Sequence, residues 1–322
     1  MILILSTPTD SDTNDVIDWL VYNNSPFFRL NDEDLMQGLT SFYHDPNDLS
    51  QTYFEHYSHR IYLKDIKVVW YRKFGFLIDY QNKLGSKNEL LSYMYAEFRY
   101  IQKLIVKLLD GKKKLCDKNF GFSKIDILKQ ASEIGLNIPR TLITNDKSKL
   151  TEFYHQNRNL IITKSIGEAR HIIYKNNQFT LATHRINKVD ELPSNFSPSL
   201  IQEYIDKEIE IRVFYLDKKC YSMAIFSQNN EKTKLDFRNY DDQKPNRFVP
   251  YKLPERIEKQ ISVFMERIGL NTGSLDMIKS KVDGKYYFLE VNPSGQFGMT
   301  SKPCNYNLHQ KIANFLIENN ND

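Results

Sequence analysis

The last third of the chain is dominated by segments in which β-branched and aromatic side chains alternate with polar ones. Residues 199–204, 208–216, 219–226 and 285–291 all have this character. Such runs are typical of strands that bury one face of a sheet. One amphipathic segment, residues 255–268, interrupts them and predicts a helix. The sequence therefore predicts a β-rich C-terminal domain, which we place at residues 198–322.

The first 115 residues predict an α/β domain. Apolar runs at residues 1–5 and 66–71 predict buried strands, and we expect residues 25–57 between them to be rich in loops. A basic turn at residues 111–114 closes the domain. Two amphipathic helices are predicted here: the first places Val16, Ile17, Leu20 and Val21 on one face, and the second spans residues 89–109.

Shorter elements predict a small central domain at residues 116–197. Ser123 is a good cap for a helix over residues 124–134, and Gly135 is a typical residue to follow a helix end. Three short apolar segments that predict strands follow at residues 140–144, 159–164 and 170–174. The fold class is therefore α/β (α+β) with three consecutive parts.

Charge and composition argue against several classes of function. The chain has 322 residues, 41% of them hydrophobic, and 44 basic against 40 acidic side chains, a net charge of +4. That charge is small for a dedicated nucleic-acid binder, and we expect no nucleic-acid partner. No window is long and apolar enough to predict a membrane span. Because the three cysteines stand far apart and the N-terminal run is too short for a signal peptide, we expect a cytoplasmic protein.

Three oxygen-bearing side chains near the end of the β-rich region predict a cation site. Glu290 and Asn292 lie two residues apart in an apolar strand, so both point to the same face. Asp276 lies in the preceding predicted strand, and a turn at Asp283 and Gly284 would pair the two strands as a hairpin. Magnesium prefers such hard oxygen ligands and shares them with phosphate oxygens. Asp276, Glu290 and Asn292 are therefore the candidate metal ligands.

A nucleotide site also needs cations for the phosphates. Lys164 ends an apolar predicted strand, where its ammonium group could face a cleft. Strict alternation along residues 208–213 places Glu208, Glu210 and Arg212 on one polar face. Neither a GxxxxGK[ST] loop nor a GxGxxG loop occurs, which argues against the P-loop and dinucleotide-binding classes.

Taken together, these motifs resemble the ATP-grasp ligases over roughly residues 115–310. The similarity is greatest to peptide maturases of the graspetide (microviridin-type) class, and residues 296–306 resemble their grasp-with-spasm subgroup. The segments that carry the resemblance are Gly135-Leu-Asn-Ile-Pro-Arg-Thr-Leu-Ile-Thr, Gln202-Glu-Tyr-Ile, Glu210-Ile-Arg, Ser274-Leu-Asp and Phe288-Leu-Glu-Val-Asn-Pro-Ser-Gly-Gln. The turn at residues 165–169 departs from the family, since it has a single glycine where many members have a glycine-richer lid.

The resemblance implies an ATP-grasp fold with an N-terminal α/β domain, a small central domain and a β-rich C-terminal grasp domain. It also implies roles for individual residues. Arg212 would face the reacting phosphate, and Arg238 would bind phosphate or the substrate carboxylate. Asp276, Glu290 and Asn292 would hold Mg²⁺ between two phosphates of ATP. The nucleotide itself would be bound by Lys124, Lys164, Glu203, Tyr204, Ile205, Glu210 and Asn292.

As a hypothesis, the resemblance implies an ATP-dependent ligase that activates Asp or Glu side chains of a ribosomal precursor peptide and joins them to Thr, Ser or Lys. The peptide partner would consist of a leader and a core. Two alternatives stay open, namely a ligase that adds a free amino acid to a peptide or protein, and a non-catalytic scaffold. The general base is not evident, with His184 as one candidate, and a homodimer is one option for the oligomeric state.

Overall fold

A computed structural model describes residues 1–75, 89–116, 123–167, 171–174, 177–180, 183–239 and 241–321. The chain forms two compact units: Met1–Phe120 together with Pro293–Asp322, and Gly121–Asn292. The three-part division expected from the sequence stays a prediction. None of the helices in the described ranges combines the length and the apolar character that a bilayer crossing needs.

The described elements are numbered in chain order. The helices are α1 (Ser11–Tyr22), α2 (Asp32–Met36), α3 (Glu89–Leu108), α4 (Lys124–Glu133), α5 (Lys147–Gln156), α6 (Glu255–Arg267), α7 (Gly298–Cys304) and α8 (Leu308–Asn321). The strands are β1 (Ile2–Ser6), β2 (Phe27–Asn31), β3 (Thr40–Tyr43), β4 (Tyr53–His56), β5 (His59–Tyr62), β6 (Val68–Tyr71), β7 (Lys113–Leu115), β8 (Thr141–Thr144), β9 (Ile161–Lys164), β10 (His171–Tyr174), β11 (Asn177–Thr180), β12 (His184–Ile186), β13 (Ser199–Glu203), β14 (Lys207–Leu216), β15 (Lys219–Phe226), β16 (Arg247–Tyr251), β17 (Thr272–Ser280) and β18 (Tyr286–Asn292). Short 3₁₀ turns occur at Leu49–Gln51 and Leu63–Asp65.

The first unit is built on a parallel sheet with the order β2-β1-β6-β7. Strands β1 and β6 are buried throughout, as their continuous apolar sequences predict. A separate antiparallel sheet, β3-β4-β5, contributes the buried Phe54 to the same apolar core. Helix α1 packs against the C-terminal helix α8. An α/β domain at the N-terminus is therefore confirmed.

Several local predictions for this unit are wrong. Residues 25–57 are not mainly loop, because β2, α2, β3 and β4 lie within them. These elements are short and mix polar with apolar residues, which hides their periodicity. The predicted turn at 111–114 runs into the edge strand β7, and Val21 is exposed rather than buried with Val16 and Leu20.

Besides the two-stranded antiparallel pair β10-β11, the second unit contains two larger antiparallel sheets. The smaller has the order β12-β9-β13-β8 and packs helix α5 on its apolar face. The larger has the order β16-β15-β14-β17-β18. Behind it, Phe264 of α6 packs edge-to-face on Phe288 of β18, and both rings are fully buried. The β-rich region predicted from the sequence is thus this five-stranded sheet, with β13 placed in the smaller one.

Helix α4 begins where the sequence predicts. The hydroxyl of Ser123 accepts a hydrogen bond from the backbone N–H of Asp126, whose carboxylate accepts one from the Ser123 backbone. This reciprocal capping box fixes the first turn of the helix. It therefore also fixes Lys124, the first residue of the helix.

Candidate functional site

Strands β17 and β18 form the predicted antiparallel hairpin, which carries the three candidate metal ligands. Asp276 lies directly opposite Glu290, and Asn292 lies opposite Ser274. The register shifts between Asp276 and Met277, so the pairing is irregular directly beside the first carboxylate. Such irregularities often re-aim a side chain next to a functional site. The hairpin brings all three side chains to the wall of one cavity.

The carboxylate of Asp276 is buried against Arg212 of the neighbouring strand β14. The Nη1 atom of Arg212 lies 2.7 Å from Oδ1 and 2.9 Å from Oδ2. Burial and the nearby Glu290 raise the pKa of Asp276, although Arg212 acts in the opposite direction. Arg212 and Asp276 therefore form an ion pair in a buried place, where water screens the attraction between their charges little.

Two cationic side chains of the site lie close to the carboxylate of Glu290. Lys124 Nζ lies 3.3 Å from one of its oxygens, and Arg238 Nη1 lies 3.5 Å from the other. Burial acts to raise the pKa of Glu290, but the positive charges of Lys124, Arg238 and Lys164 outweigh it and lower the pKa. Glu290 therefore stays ionised and available to a cation.

Lys164 ends β9, as the sequence predicts, and lines the cavity. Burial lowers its pKa, and the neighbouring charges of Lys124 and Arg238 lower it further, whereas Glu290 acts to raise it. A concentration of positive charge with incomplete compensation binds an anion favourably. Phosphate oxygens beside this lysine would favour its charged form.

The cavity has a volume of about 550 Å³ and lies wholly within the second unit. That size suits a small-molecule ligand of the nucleotide class. Apolar walls come from both sheets, with Ile162 on one and Ile278 on the other. An aliphatic lining of this kind can accept the face of a planar ring system.

Most predicted site residues meet in this cavity. Its lining includes Lys124, Lys164, Glu203, Tyr204, Ile205, Glu210, Arg238, Asp276, Glu290 and Asn292. Arg212 does not line it and contacts Asp276 from behind, and His184 is exposed on β12 and also lies outside the lining. The roles assigned to these residues stay predictions.

The expected alternation along β14 is wrong at its first residues. A bulge interrupts the pairing with β17 between Lys207 and Ile209. Glu208 is consequently exposed and pairs with Lys279, whereas Lys207 is buried and lines the cavity beside Glu210. Lys207 is a site residue that period-two reasoning misses, because an inserted residue moves the following side chains to the other face.

Glu210 is buried within hydrogen-bonding distance of two donors. Lys207 Nζ lies 2.8 Å from its Oε1, and the hydroxyl of Ser227 donates to the same oxygen at 2.6 Å. Burial raises the pKa of Glu210 although both donors act to lower it, and Asp236 adds to the rise. A buried carboxylate in this position depends on Lys207 for its charge.

The segment of residues 203–205 runs from β13 of the four-stranded sheet toward β14 of the five-stranded sheet. The carboxylate of Glu203 accepts a hydrogen bond from the Arg140 backbone N–H at 2.8 Å, and the backbone N–H of Tyr204 donates to the Leu160 carbonyl. These bonds fix the backbone of the segment at the rim of the cavity. In the single-glycine turn at 165–169, Ser165 lines the cavity, while residues 168–169 lie outside the described residues.

The donor set fits magnesium shared with a phosphate group. Two carboxylates and one amide oxygen converge, and among the described residues no group of three or more His, Cys, Asp or Glu forms a complete protein cage. Magnesium is usually held by one or two carboxylates, with phosphate and water completing its octahedron. Asp276, Glu290 and Asn292 would be its protein ligands.

Comparison of the chain with solved structures finds proteins with a similar fold. A Chryseobacterium gregarium RiPP-associated ATP-grasp ligase, in complex with ADP and a leader and core peptide, matches with a TM-score of 0.82 and 25% identity. The match covers 98% of this chain and 96% of that chain. The macrocyclase MdnC from Microcystis aeruginosa MRC, bound with precursor peptide MdnA, matches with a TM-score of 0.76 and 25% identity over 99% of both chains.

The chain has the ATP-grasp fold. The ligase PsnB, complexed with minimal precursor, Mg and ADP, supports the same fold with a TM-score of 0.76 at 17% identity, over 99% of this chain and 97% of that chain. No protein-family model matches the chain, and no curated protein matches its sequence. The predicted structural resemblance to ATP-grasp peptide maturases is nevertheless confirmed by these neighbours.

Proposed function

We propose that this ATP-grasp chain is an ATP-dependent ligase that modifies a ribosomally synthesised precursor peptide. It would activate Asp or Glu side chains of the core as acyl phosphates and join them to Thr, Ser or Lys side chains of the same peptide. The observation that carries the proposal is the charged hairpin, in which Asp276 and Glu290 lie opposite each other within a cavity lined by Lys124, Lys164 and Arg238.

The neighbours support the substrate class. The Chryseobacterium gregarium ligase is described in complex with ADP and with a leader and core peptide, and MdnC is described as a macrocyclase bound with its precursor. Both match nearly the full length of this chain. A peptide partner and ATP as the energy source follow from that similarity.

The residues of the cavity have complementary tasks in this proposal. Bound between Asp276, Glu290 and Asn292, Mg²⁺ would neutralise phosphate charge. Lys124, Lys164 and Arg238 would hold the transferred phosphoryl group, because fixed cations stabilise the charge that spreads over its oxygens during transfer.

Carboxylate activation is needed because a free carboxylate is a poor electrophile. The carboxylate attacks the γ-phosphorus of ATP, the bond from that phosphorus to the β-bridging oxygen breaks, and ADP leaves. A hydroxyl or amine of the same peptide then attacks the acyl carbon, loses its proton and expels phosphate. Holding both groups in one peptide gives the second step the advantage of a high effective concentration.

Mass spectrometry tests this reaction directly. Purified protein would be incubated with ATP, Mg²⁺ and a synthetic peptide encoded beside its gene. The proposal expects ADP release and the loss of one water mass for each ring. A gain of one residue mass would instead identify a ligase that adds a free amino acid.

A matched pair of variants separates catalysis from scaffolding. Glu290→Gln keeps the size of the side chain but removes the charge that holds Lys124 and Arg238. We expect turnover to fall by a factor of at least about 100, since a charge interaction in a dry site contributes several kcal/mol. Glu208→Gln, on the exposed side of β14, is the control and should retain turnover. If neither the wild type nor either variant modifies the peptide, a non-catalytic binding scaffold becomes the better explanation.

A further inference from the structure

Gln202 of β13 is a polar side chain in the wall of the cavity, and one end of its amide has no partner. The residue is 1% exposed and belongs to the lining of the cavity. Its Nε2 donates a hydrogen bond to the hydroxyl oxygen of Thr141 at 2.9 Å. Among the described parts of the chain, no group donates to its buried Oε1. Because a buried acceptor without a donor costs free energy, a ligand that brings a donor to this atom gains affinity.

The neighbouring Thr141 fixes which way the amide of Gln202 points. The two residues pair across β8 and β13, so their side chains lie on the same face of the sheet. The Thr141 hydroxyl donates its proton to the carbonyl of Pro139 at 2.8 Å, and it therefore accepts from Gln202. A reversed amide would place two oxygen atoms together without a proton between them. The oxygen of the amide is consequently the end without a partner.

Strand pairing places this acceptor beside the aliphatic part of the cavity. Gln202 pairs with Ile162 of β9. One step along the same face, about 7 Å away, Leu200 pairs with Lys164. A nucleotide whose phosphates reach Lys164 can thus lay its base against Ile162, with the edge of the base at the Gln202 amide. An exocyclic amino group on that edge supplies the missing donor, whereas an oxo group would bring a second acceptor.

The adjacent Glu203 is not placed for this task. Side chains alternate along β13, so Glu203 faces the same way as Ile201, which packs in the apolar core with α5. Its carboxylate already accepts a hydrogen bond from the backbone N–H of Arg140 at 2.8 Å. Of the two polar residues at the end of β13, Gln202 is therefore the one suited to contact a base.

We infer that Gln202 selects a 6-amino purine nucleotide, and that Thr141 is a positioning residue that holds the Gln202 amide in the accepting orientation. The inference rests on the proposed ATP-dependent function and names the residues that separate adenine from hypoxanthine and guanine nucleotides. While Thr141 binds the amide nitrogen, Gln202 cannot turn that nitrogen toward an oxo group.

Isothermal titration calorimetry of the full chain with ADP and with IDP, both in the presence of Mg²⁺, tests the inference without peptide or turnover. IDP carries an oxo group where ADP carries the amino group. Wild type is expected to bind ADP at least about tenfold more tightly than IDP, because IDP leaves two acceptors facing each other. Gln202→Met keeps the length of the side chain and should reduce this preference to about threefold or less. Circular dichroism would show that the variant is folded.

Thr141→Val tests the positioning role, since valine keeps the shape of threonine and removes its hydroxyl. The Gln202 amide can then turn and donate to the oxo group, so IDP should bind at least about threefold more tightly than it binds to wild type. An equal loss of affinity for both nucleotides would overturn the positioning role. Gln156→Met, at an exposed position of α5, is the matched control and should keep the wild-type preference.

The failure of this inference and the failure of the proposed function give different results. If neither nucleotide binds, the nucleotide site fails, and the proposed function and the inference fail with it. If ADP binds but wild type does not prefer it to IDP, the inference fails while the nucleotide site stands. The same holds if Gln202→Met keeps the full preference.

Discussion

The β-bulge turns Lys207 inward, where it forms the ion pair that stabilises the charged form of Glu210. We therefore expect Lys207→Met to be strongly destabilising. In the wild type, the ammonium group lies 2.8 Å from Oε1 of Glu210, and both side chains are almost excluded from water. Methionine keeps the length of the lysine stem and removes only its charge. Glu210 would then face a buried site with the hydroxyl of Ser227 as its remaining donor.

The size of the loss follows from breaking a buried pair. Removing one partner of such a pair costs about 3 to 5 kcal/mol. Because Ser227 remains and Glu210 can take up a proton, we expect the lower end, about 3 kcal/mol. At roughly 2 to 4 °C per kcal/mol, the melting temperature would fall by about 6 to 12 °C.

The pH dependence gives the prediction its specific signature. Burial raises the pKa of Glu210 above its ordinary value of 4.5, so the folded protein binds this proton more tightly than the unfolded chain. The free energy of unfolding therefore falls as pH rises through the raised pKa. Without Lys207 the pKa rises further. The loss in Lys207→Met should consequently be largest at neutral and alkaline pH and should shrink as the solution approaches pH 4.5.

Thermal unfolding followed by circular dichroism at several pH values would measure the effect. Lys279→Met is the matched control, since Lys279 pairs with the exposed Glu208 at 2.8 Å and such surface pairs contribute at most about 1 kcal/mol. The double variant Lys207→Met, Glu210→Gln should regain part of the loss. A melting temperature equal to that of the control, or a loss independent of pH, would refute the reasoning.

Three further predictions concern stability. Gly298→Ala places a Cβ 2.5 Å from Oδ1 of Asp12, so we expect about 1 to 3 kcal/mol of destabilisation in urea unfolding; Gly167→Ala, with open space around it, should lose little. Ser123→Ala removes a helix cap and should cost about 1 kcal/mol, measured in the same way. Phe288→Ala empties a fully buried site and should cost about 3 to 5 kcal/mol, which would be seen as a large fall in melting temperature.

The hairpin is the part of the site that local sequence patterns predict best. Period-two alternation places Glu290 and Asn292 on one face, and the turn at Gly284 predicts that their strand pairs with the strand of Asp276. The cap at Ser123 is equally local and likewise correct. Each of these features depends on residues that are close in sequence, so each can be predicted from a local sequence pattern.

The tertiary structure decided what depends on distant residues. The bulge in β14 lies where its pairing register with β17 shifts, and β17 lies more than 60 positions further along the chain. The bulge places Lys207 rather than Glu208 in the lining of the cavity. Residues 293–322 likewise join the first unit, where Arg72 donates hydrogen bonds to the carbonyls of Ser294 and Gly295. The sequence by itself determined the long apolar strands, the helix cap and the paired carboxylates, since these follow from short-range periodicity. Long-range pairing decided which lysine reaches the cavity and which arginine lies behind its wall.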